Sequence, residues 1–172
     1  MTKKIFIIVV ALLFLSCDRK DEEQVIETND RQVIKIDDGL LQIITEAVDT
    51  LVIGSNSFVL DAYLWRDFMP GNTSNGMNSI NWLIRTDSVK MPDNINMIKQ
   101  YVIYEDSIWV ASYENVAPTP SLPEYKIERV SINGPKWGGL KIFVDVISQI
   151  YDSKTNQDYH IVRKNVYIHG TS

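Results

Sequence analysis

The sequence predicts an all-β fold, a single antiparallel sandwich or barrel of about seven to nine strands. Two observations carry this prediction. Apolar and polar residues alternate with period two along most of the chain after residue 32, and turn residues recur at intervals of about 8–15 residues. The strands predicted in this way are 40–45, 49–53, 57–65, 79–86, 98–104, 108–113, 125–132, 140–151 and 158–168.

The most regular part of this pattern lies near the C-terminus. Residues 140–151 and 158–168 alternate apolar and polar side chains, and residues 152–157 between them are turn formers. The two segments are therefore predicted to form a long hairpin. The second strand is expected to place four residues on one face: His160, Val162, Val166 and Ile168.

One segment fits two kinds of structure. Residues 40–48 have the length of a short helix, but Ile43, Ile44 and Thr45 are β-branched residues, which favour a strand. The strand is the predicted form.

The N-terminal segment has the pattern of a secretory signal peptide. Lys3 and Lys4 precede an unbroken apolar run of eleven residues, 5–15. A membrane-spanning helix needs about 20 apolar residues, so this run is too short to cross a bilayer and fits a signal peptide. Residues 1–16 are therefore excluded from the prediction of the fold.

Residues 14–17, Phe-Leu-Ser-Cys, resemble the lipobox of bacterial lipoproteins, with Phe14 in the position where Leu is usual. The resemblance implies that Cys17 carries a diacylglycerol and becomes the first residue of the mature chain. Its acyl chains then hold the protein on a membrane. The alternative is an uncleaved anchor, or an unmodified Cys17 at the end of a signal peptide.

A charged segment follows Cys17 and separates it from the predicted domain. Lys20, Asp21 and Glu22 resemble the export signal of Bacteroidota lipoproteins, which implies display on the outer surface of a Gram-negative outer membrane. A solvated, disordered tether is the alternative, because clustered charges keep a chain extended. The predicted organisation is a signal peptide at 1–16, a lipidated tether at 17–32 and one β domain at 33–172.

Composition excludes several classes of partner and site. The net charge is −5, and it becomes −7 once Lys3 and Lys4 are removed with the signal peptide. Nucleic acids and anionic bilayers attract basic surfaces, so neither is expected to bind this domain. Cys17 is the sole cysteine, so disulfides and cysteine-based metal sites are excluded.

Two motifs connect the domain with a family. Residues 65–70, Trp-Arg-Asp-Phe-Met-Pro, and residues 134–137, Gly-Pro-Lys-Trp, resemble a family of small uncharacterised bacterial domains with an immunoglobulin-like sandwich. The resemblance covers residues 58–168. It implies an immunoglobulin-like fold and no particular activity.

The same two motifs supply the candidate site residues, which are Trp65, Arg66, Asp67 and Trp137. In a structural interpretation Arg66 and Asp67 anchor a loop, and Trp137 plugs one end of the sandwich. In a functional interpretation Arg66 donates hydrogen bonds to a ligand, and an indole stacks on a sugar. Trp82 and Trp109 alternate with apolar residues and are expected in the core or on a sheet face.

No catalytic or metal-binding pattern stands out in the sequence. His160 and His169 are nine residues apart on one predicted strand, and an odd separation puts them on opposite faces. They cannot share a metal ion in that arrangement. We expect no cofactor, no metal and no enzymatic activity.

The function expected from the sequence is that of a membrane-anchored envelope or surface lipoprotein with a non-catalytic accessory or interaction domain. Its membrane contact is the lipid on Cys17, and its partner is a protein or a glycan. The alternative is a carbohydrate- or small-ligand-binding module that uses the loops 66–76 and 134–139. An enzyme comes third.

Overall fold

The computed structural model describes residues 26–28, 31–35, 37–67, 76–114, 117, 119–137 and 141–171. Within these ranges the chain forms ten strands and one helix. In chain order they are β1 (Ile26–Thr28), β2 (Arg31–Lys35), α1 (Asp38–Glu46), β3 (Thr50–Ile53), β4 (Asn56–Asp67), β5 (Met77–Arg85), β6 (Ile95–Tyr104), β7 (Ser107–Ser112), β8 (Lys126–Ser131), β9 (Phe143–Asp152) and β10 (Gln157–Thr171).

The strands form one curled, mixed sheet. Its order is β1-β2-β7-β6-β9-β10-β4-β5-β8, and β3 also pairs with β4. We call β1, β2, β7, β6 and β9 the β6 half, and β3, β4, β5 and β8 the β5 half; β10 belongs to both.

The all-β class is confirmed, but the prediction of a purely antiparallel fold is wrong at one junction. The described strand pairs are antiparallel except for β10 with β4, where Ile168 lies beside Leu64 in a parallel ladder. The two halves of the sheet meet at this parallel junction.

The main core takes side chains from both halves. Phe58, Leu64 and Leu83 of the β5 half belong to one buried cluster with Val102 and Trp109 of the β6 half. Burying a side chain of this size fully contributes about 1.5–3 kcal/mol. The core therefore stabilises the halves against each other as well as within themselves.

Helix α1 covers the outer surface of the β6 half. Leu40 of the helix packs there with Tyr101, Ile108, Ile147 and Val162, which form a second apolar cluster.

The described ranges contain no helix with the length and apolar character needed to cross a membrane.

The strand predicted at 40–45 is wrong, because this segment lies in α1. Asp37 caps the helix: its Oδ1 accepts a hydrogen bond from the backbone nitrogen of Leu40 over 2.9 Å. Leu40 and Ile44 are four residues apart and share the helix face that packs on the sheet. This packing outweighs the strand preference of the β-branched residues.

The other eight predicted strands are confirmed within a few residues at each end, including the hairpin of β9 and β10. The pattern does not predict β1 and β2. They raise the number of strands above the expected seven to nine, and β2 pairs with β7. β1 and the first residues of β2 fall in the segment 17–32, for which the sequence predicts a tether.

A bulge in β10 reverses the orientation of its side chains. The pairing of β10 with β9 shifts between Arg163 and Val166, and one extra residue moves every following side chain to the other face. Ile161 before the bulge and Val166 and Ile168 after it all point into the main core, whereas Val162 packs under α1. The predicted common face of β10 is therefore wrong, because its first two members lie opposite its last two.

Candidate functional site

Arg66 and Trp137 meet at one end of the sheet. Arg66 is buried, and its Nη1 donates a hydrogen bond to the backbone oxygen of Trp137 over 2.8 Å. Burial lowers the pKa of Arg66 from its ordinary value, because it disfavours the charged form. The indole of Trp137 is half-buried against the main core, with its ring centroid 5.7 Å from that of Tyr104. We call this contact the Arg66–Trp137 corner.

Two glycines allow the chain to close around this corner. Met77 and Gly134 exchange two backbone hydrogen bonds. A Cβ added at Gly134 would lie 2.7 Å from the ring of Trp109, and one added at Gly76 would lie 2.8 Å from the backbone oxygen of Gly134. The turn therefore packs directly on the core, which favours the structural interpretation of the corner.

The structure brings Arg66 and Trp137 together and separates Trp65 from them. Trp65 precedes Arg66 on β4 and faces the opposite side of the sheet. The backbone of Asp67 ends β4; its side chain and the loop residues 68–75 and 138–140 lie outside the described part of the chain. The predicted lipidation and export residues also lie outside it: Cys17, Lys20, Asp21 and Glu22.

Five aromatic rings form a continuous row on the outer surface of the sheet. In order along the row they belong to Trp65, Tyr63, His169, Tyr167 and Phe143, and neighbouring centroids are 5.8, 4.6, 4.9 and 5.4 Å apart. Phe143 is 58% exposed and Tyr63 is 38% exposed. We call this surface the aromatic row.

Strand alternation explains why the members of the row on β4 and β10 point outward. Leu64 of β4 and Ile168 of β10 are paired and buried, so the residues on either side of each point away from the core. Phe143 enters the row because it pairs with Tyr167 in the β9–β10 ladder. Three strands from both halves thus contribute to one surface.

The rings of Tyr63 and His169 stand face to face. Their planes differ by 25°, and their centroid distance of 4.6 Å is close to the separation of neighbouring strands, ~4.7–4.9 Å. Trp65 approaches Tyr63 with its plane tilted by 29°. Cross-strand pairs of this kind stabilise a sheet by about 0.2–1 kcal/mol each, so the row reinforces the parallel junction. The ring of Tyr63 stacks with those of both Trp65 and His169.

The β5 half extends this outer surface beside the row. Trp82 is half-buried there, and its Nε1 donates a hydrogen bond to Glu128 Oε2 over 2.7 Å. Glu128 Oε1 accepts another from Thr119 Oγ1 over 2.6 Å. Trp109, in contrast, is fully buried in the main core. The prediction of core or sheet-face positions for these two tryptophans is confirmed.

His160 and His169 lie in different surroundings. The bulge in β10 turns both toward the outer side of the sheet, so the prediction of opposite faces is wrong. His160 packs edge-on against Tyr101, whereas His169 lies in the aromatic row. Within the described ranges, no three His, Cys, Asp or Glu side chains are grouped so that they could hold a metal ion.

A cleft of about 350 Å³ lies between β8 and the start of β6. Its charged lining residues are Lys90, Asp93, Glu124, Lys126, Glu128 and Arg129. Basic and acidic side chains are equally numerous, so their charges select neither an anion nor a cation.

The aromatic row is the surface that sequence reasoning misses. Tyr63 and Trp65 are two residues apart, as are Tyr167 and His169, and this spacing predicts that each pair shares a face. The proximity of the two pairs depends on the parallel pairing of strands that are far apart in the chain. No sequence signal at the four residues specifies that pairing.

Comparisons with known proteins complete the description of the site. No family model matches the chain, no curated protein matches it and no solved structure matches it. Function is therefore inferred from the residues of this chain alone.

Proposed function

We propose that this chain is a lipid-anchored protein of the bacterial envelope whose β domain binds a protein partner and catalyses no reaction. The proposed anchor is the lipid on Cys17, and the proposed location is the outer membrane of a Gram-negative bacterium. Two sequence features support the anchor: the apolar run 5–15 is too short to span a bilayer, and residues 14–17 resemble a lipobox.

The substitution Cys17→Ala tests the anchor. The variant is expected to accumulate as unprocessed precursor or to leave the membrane fraction, because it lacks the thiol that receives the lipid. Wild-type protein is expected to incorporate an alkyne-labelled fatty acid. Absence of label on the wild type, together with unchanged membrane association of the variant, would contradict the anchor.

Proteinase K treatment of intact cells tests the proposed surface display. The charged residues Lys20, Asp21 and Glu22 support export to the outer leaflet, so the domain is expected to be degraded without lysis. Protection in intact cells and degradation only after lysis would assign the domain to the periplasmic side.

The aromatic row is the observation that carries the proposed binding activity. Aromatic residues are enriched in protein interfaces, and large contiguous exposed apolar patches are uncommon on proteins that act alone. The rings of the row already contact each other, so they lose little conformational freedom when a partner covers them. Their hydroxyl and nitrogen tips can form hydrogen bonds with the partner.

A protein partner fits most of this surface better than a sugar does. A sugar ring stacks on an open aromatic face, whereas the ring of Tyr63 is in contact with Trp65 and His169. Aromatic side chains that also carry hydroxyl and nitrogen atoms suit the mixed apolar and polar side chains of a protein interface.

Site-specific photocrosslinking in intact cells tests the partner. Benzoylphenylalanine at Phe143, a ring of the row that is 58% exposed, is expected to give one discrete adduct band. The matched control is the same amino acid at Val89, an apolar residue outside the row that is 53% exposed, and it is expected to give none. Equal labelling at the two positions, or no adduct at either, would contradict an interface on the row.

A glycan is the second candidate ligand, because Phe143 at the end of the row is open enough for a sugar to stack on it. The loops 66–76 and 134–139 supply the other proposed glycan contacts. Arg66→Ala and Trp137→Ala are expected to lower the melting temperature by several degrees, since both residues support the corner. Glycan-array binding that is lost in both variants with unchanged melting would favour the glycan module.

We further propose that the two halves of the sheet pack face to face as an immunoglobulin-like sandwich. The shared core cluster supports face-to-face packing, and the motifs at 65–70 and 134–137 support the immunoglobulin-like family. A crystal structure with Greek-key connections between two packed sheets would agree with this fold, and a closed barrel would overturn it.

A further inference from the structure

A chain of hydrogen bonds between polar side chains crosses the interior from one half of the sheet to the other. Ser79 Oγ and Asn81 Nδ2 both donate to Gln100 Oε1, over 2.8 and 2.6 Å. Asn81 Nδ2 also donates to the Tyr113 hydroxyl over 3.0 Å, and the hydroxyls of Tyr113 and Ser148 are 2.6 Å apart. We call these five residues the interior polar chain.

Four of the five residues of the interior polar chain are inaccessible to solvent, and Tyr113 is partly exposed. Ser79, Asn81, Gln100 and Ser148 have no exposed surface. Burial raises the pKa of Tyr113, although its hydrogen bonds with Ser148 and Asn81 act in the opposite direction. Tyr113 therefore stays neutral and can both donate and accept a hydrogen bond.

Two atoms of the interior polar chain are left without a partner. Asn81 Oδ1, an acceptor, and Gln100 Nε2, a donor, are buried and form no hydrogen bond within the described part of the protein. Native proteins rarely leave such groups unpaired, because burial removes their hydrogen bonds to water without replacement. Each of these two atoms can therefore accommodate one more hydrogen bond.

Reorienting the amides does not remove the problem. If Asn81 or Gln100 alone is flipped, two donors or two acceptors face each other across 2.6 Å. If both are flipped, every bond can re-form in the reverse direction, with Gln100 donating to Asn81 and to Ser79 and with the Tyr113 hydroxyl donating to Asn81. An acceptor on Gln100 and a donor on Asn81 then remain unpaired, so one donor and one acceptor are left in either orientation.

We infer that Asn81 and Gln100 form a binding site for one buried water molecule that bridges their free amide ends. Water donates and accepts at once, which is the combination both orientations require. A cation does not fit because one of the two groups is a donor, and an anion does not fit because the other is an acceptor. An organic ligand does not fit because the site has no exposed surface.

The bridging water completes the connection between the halves. Asn81 lies on β5 and Gln100 lies on β6, and these strands are not paired with each other. Exchange of the water with solvent therefore requires the halves to separate locally, so this water is long-lived compared with surface water.

A crystal structure of the mature protein at about 1.5 Å tests the site directly. The expected result is a water oxygen within about 3.2 Å of one amide atom of Asn81 and one of Gln100. A direct bond between the two free amide ends, with no water between them, would overturn the inference.

Water relaxation dispersion of the mature protein in solution provides an independent test, since it counts long-lived internal waters. The double substitution Asn81→Leu/Gln100→Met is expected to lower the count by one relative to the wild type. The matched control is Val102→Ala, which opens an apolar space in the same interior and is expected to leave the count unchanged. An unchanged count in the folded double variant would contradict the bridging water.

Discussion

The two outer surfaces of the sheet differ in what covers them. Outside the β6 half, helix α1 packs on Ile108 and Val162, and Ile108 has no exposed surface. Outside the β5 half, the described residues include no helix, and Tyr63 and Val52 are 38% and 62% exposed. Within the described ranges, a helix completes the first surface and no helix covers the second.

This difference shows that the outward direction of an apolar side chain does not by itself determine its structural role. Strand alternation explains why the side chains of Ile108 and Tyr63 both point away from the main core. The first is part of a core because a capped helix happens to lie over it, and the second is a candidate contact because no described element does. Whether another element covers an outward-facing side chain decides if that side chain stabilises the fold or stays available for contacts. The strand pattern alone does not decide this.

Removing an apolar side chain beneath α1 has the largest expected effect. Ile108→Ala should lower the free energy of unfolding by about 2–5 kcal/mol, because it leaves a cavity that the surroundings fill only in part. Urea unfolding measures the change. Val89→Ala, at an exposed position, is the control and should stay within about 0.5 kcal/mol of the wild type. Similar losses in both variants would show that the helix does not complete a core.

Truncation in the middle of the aromatic row should have a moderate effect. Tyr63→Ala removes two ring contacts, those with Trp65 and His169, and should cost about 1 kcal/mol in the free energy of unfolding. Tyr63→Phe keeps the ring and should unfold like the wild type. A loss in the phenylalanine variant as large as that in the alanine variant would mean that the hydroxyl, rather than the stacking, stabilises the junction.

Acid should weaken the covered surface through His160. Burial lowers the pKa of His160 from its ordinary value, and the nearby carboxylates of Asp158 and Glu46 oppose this shift only in part. The imidazole of His160 therefore binds a proton more tightly in the unfolded chain than in the folded chain.

The stabilisation from neutral His160 is complete above pH of about 6.5 and is lost as the pH falls through the folded pKa. His160→Gln should flatten the dependence of the melting temperature on pH in this window. An equally steep dependence in the variant would assign the acid sensitivity to other groups.

Truncation at the open end of the row should have the smallest effect on stability. Phe143→Ala should change the free energy of unfolding by no more than about 0.5 kcal/mol, because the side chain is mostly exposed. A loss above 1.5 kcal/mol, measured by urea unfolding against Val89→Ala, would show that Phe143 is held as a structural residue.

Period two in the sequence predicts most strands, because buried residues must alternate wherever one face of a strand packs on the core. The helix at Asp38–Glu46 is missed for a physical reason. The β-branched residues Ile43 and Ile44 weigh against a helix, whereas the cap at Asp37 and the packing of Leu40 stabilise it. The aspartate before the segment is the sequence signal that could have identified the helix.

The faces of β10 and the aromatic row are harder to predict than the strands themselves. Asn165 adopts a left-handed backbone conformation with φ 56° inside the bulge, and its backbone nitrogen donates to Asp145 Oδ1 over 2.9 Å. Asparagine tolerates this conformation, yet nothing in an alternating pattern shows where an extra residue is inserted. At the Arg66–Trp137 corner the sequence motifs identify the two residues as candidates. They do not predict the hydrogen bond between them.

The position of β10 determines when this fold can form. Residues 157–167 of the strand pair with β9, and residues 168–171 pair with β4. Every other described strand precedes β10 in the chain, so before β10 is available the two half-sheets share no described strand ladder. Addition of β10 joins them into one sheet. Late pairing of this kind delays the native state until the strand at residues 157–171 is available.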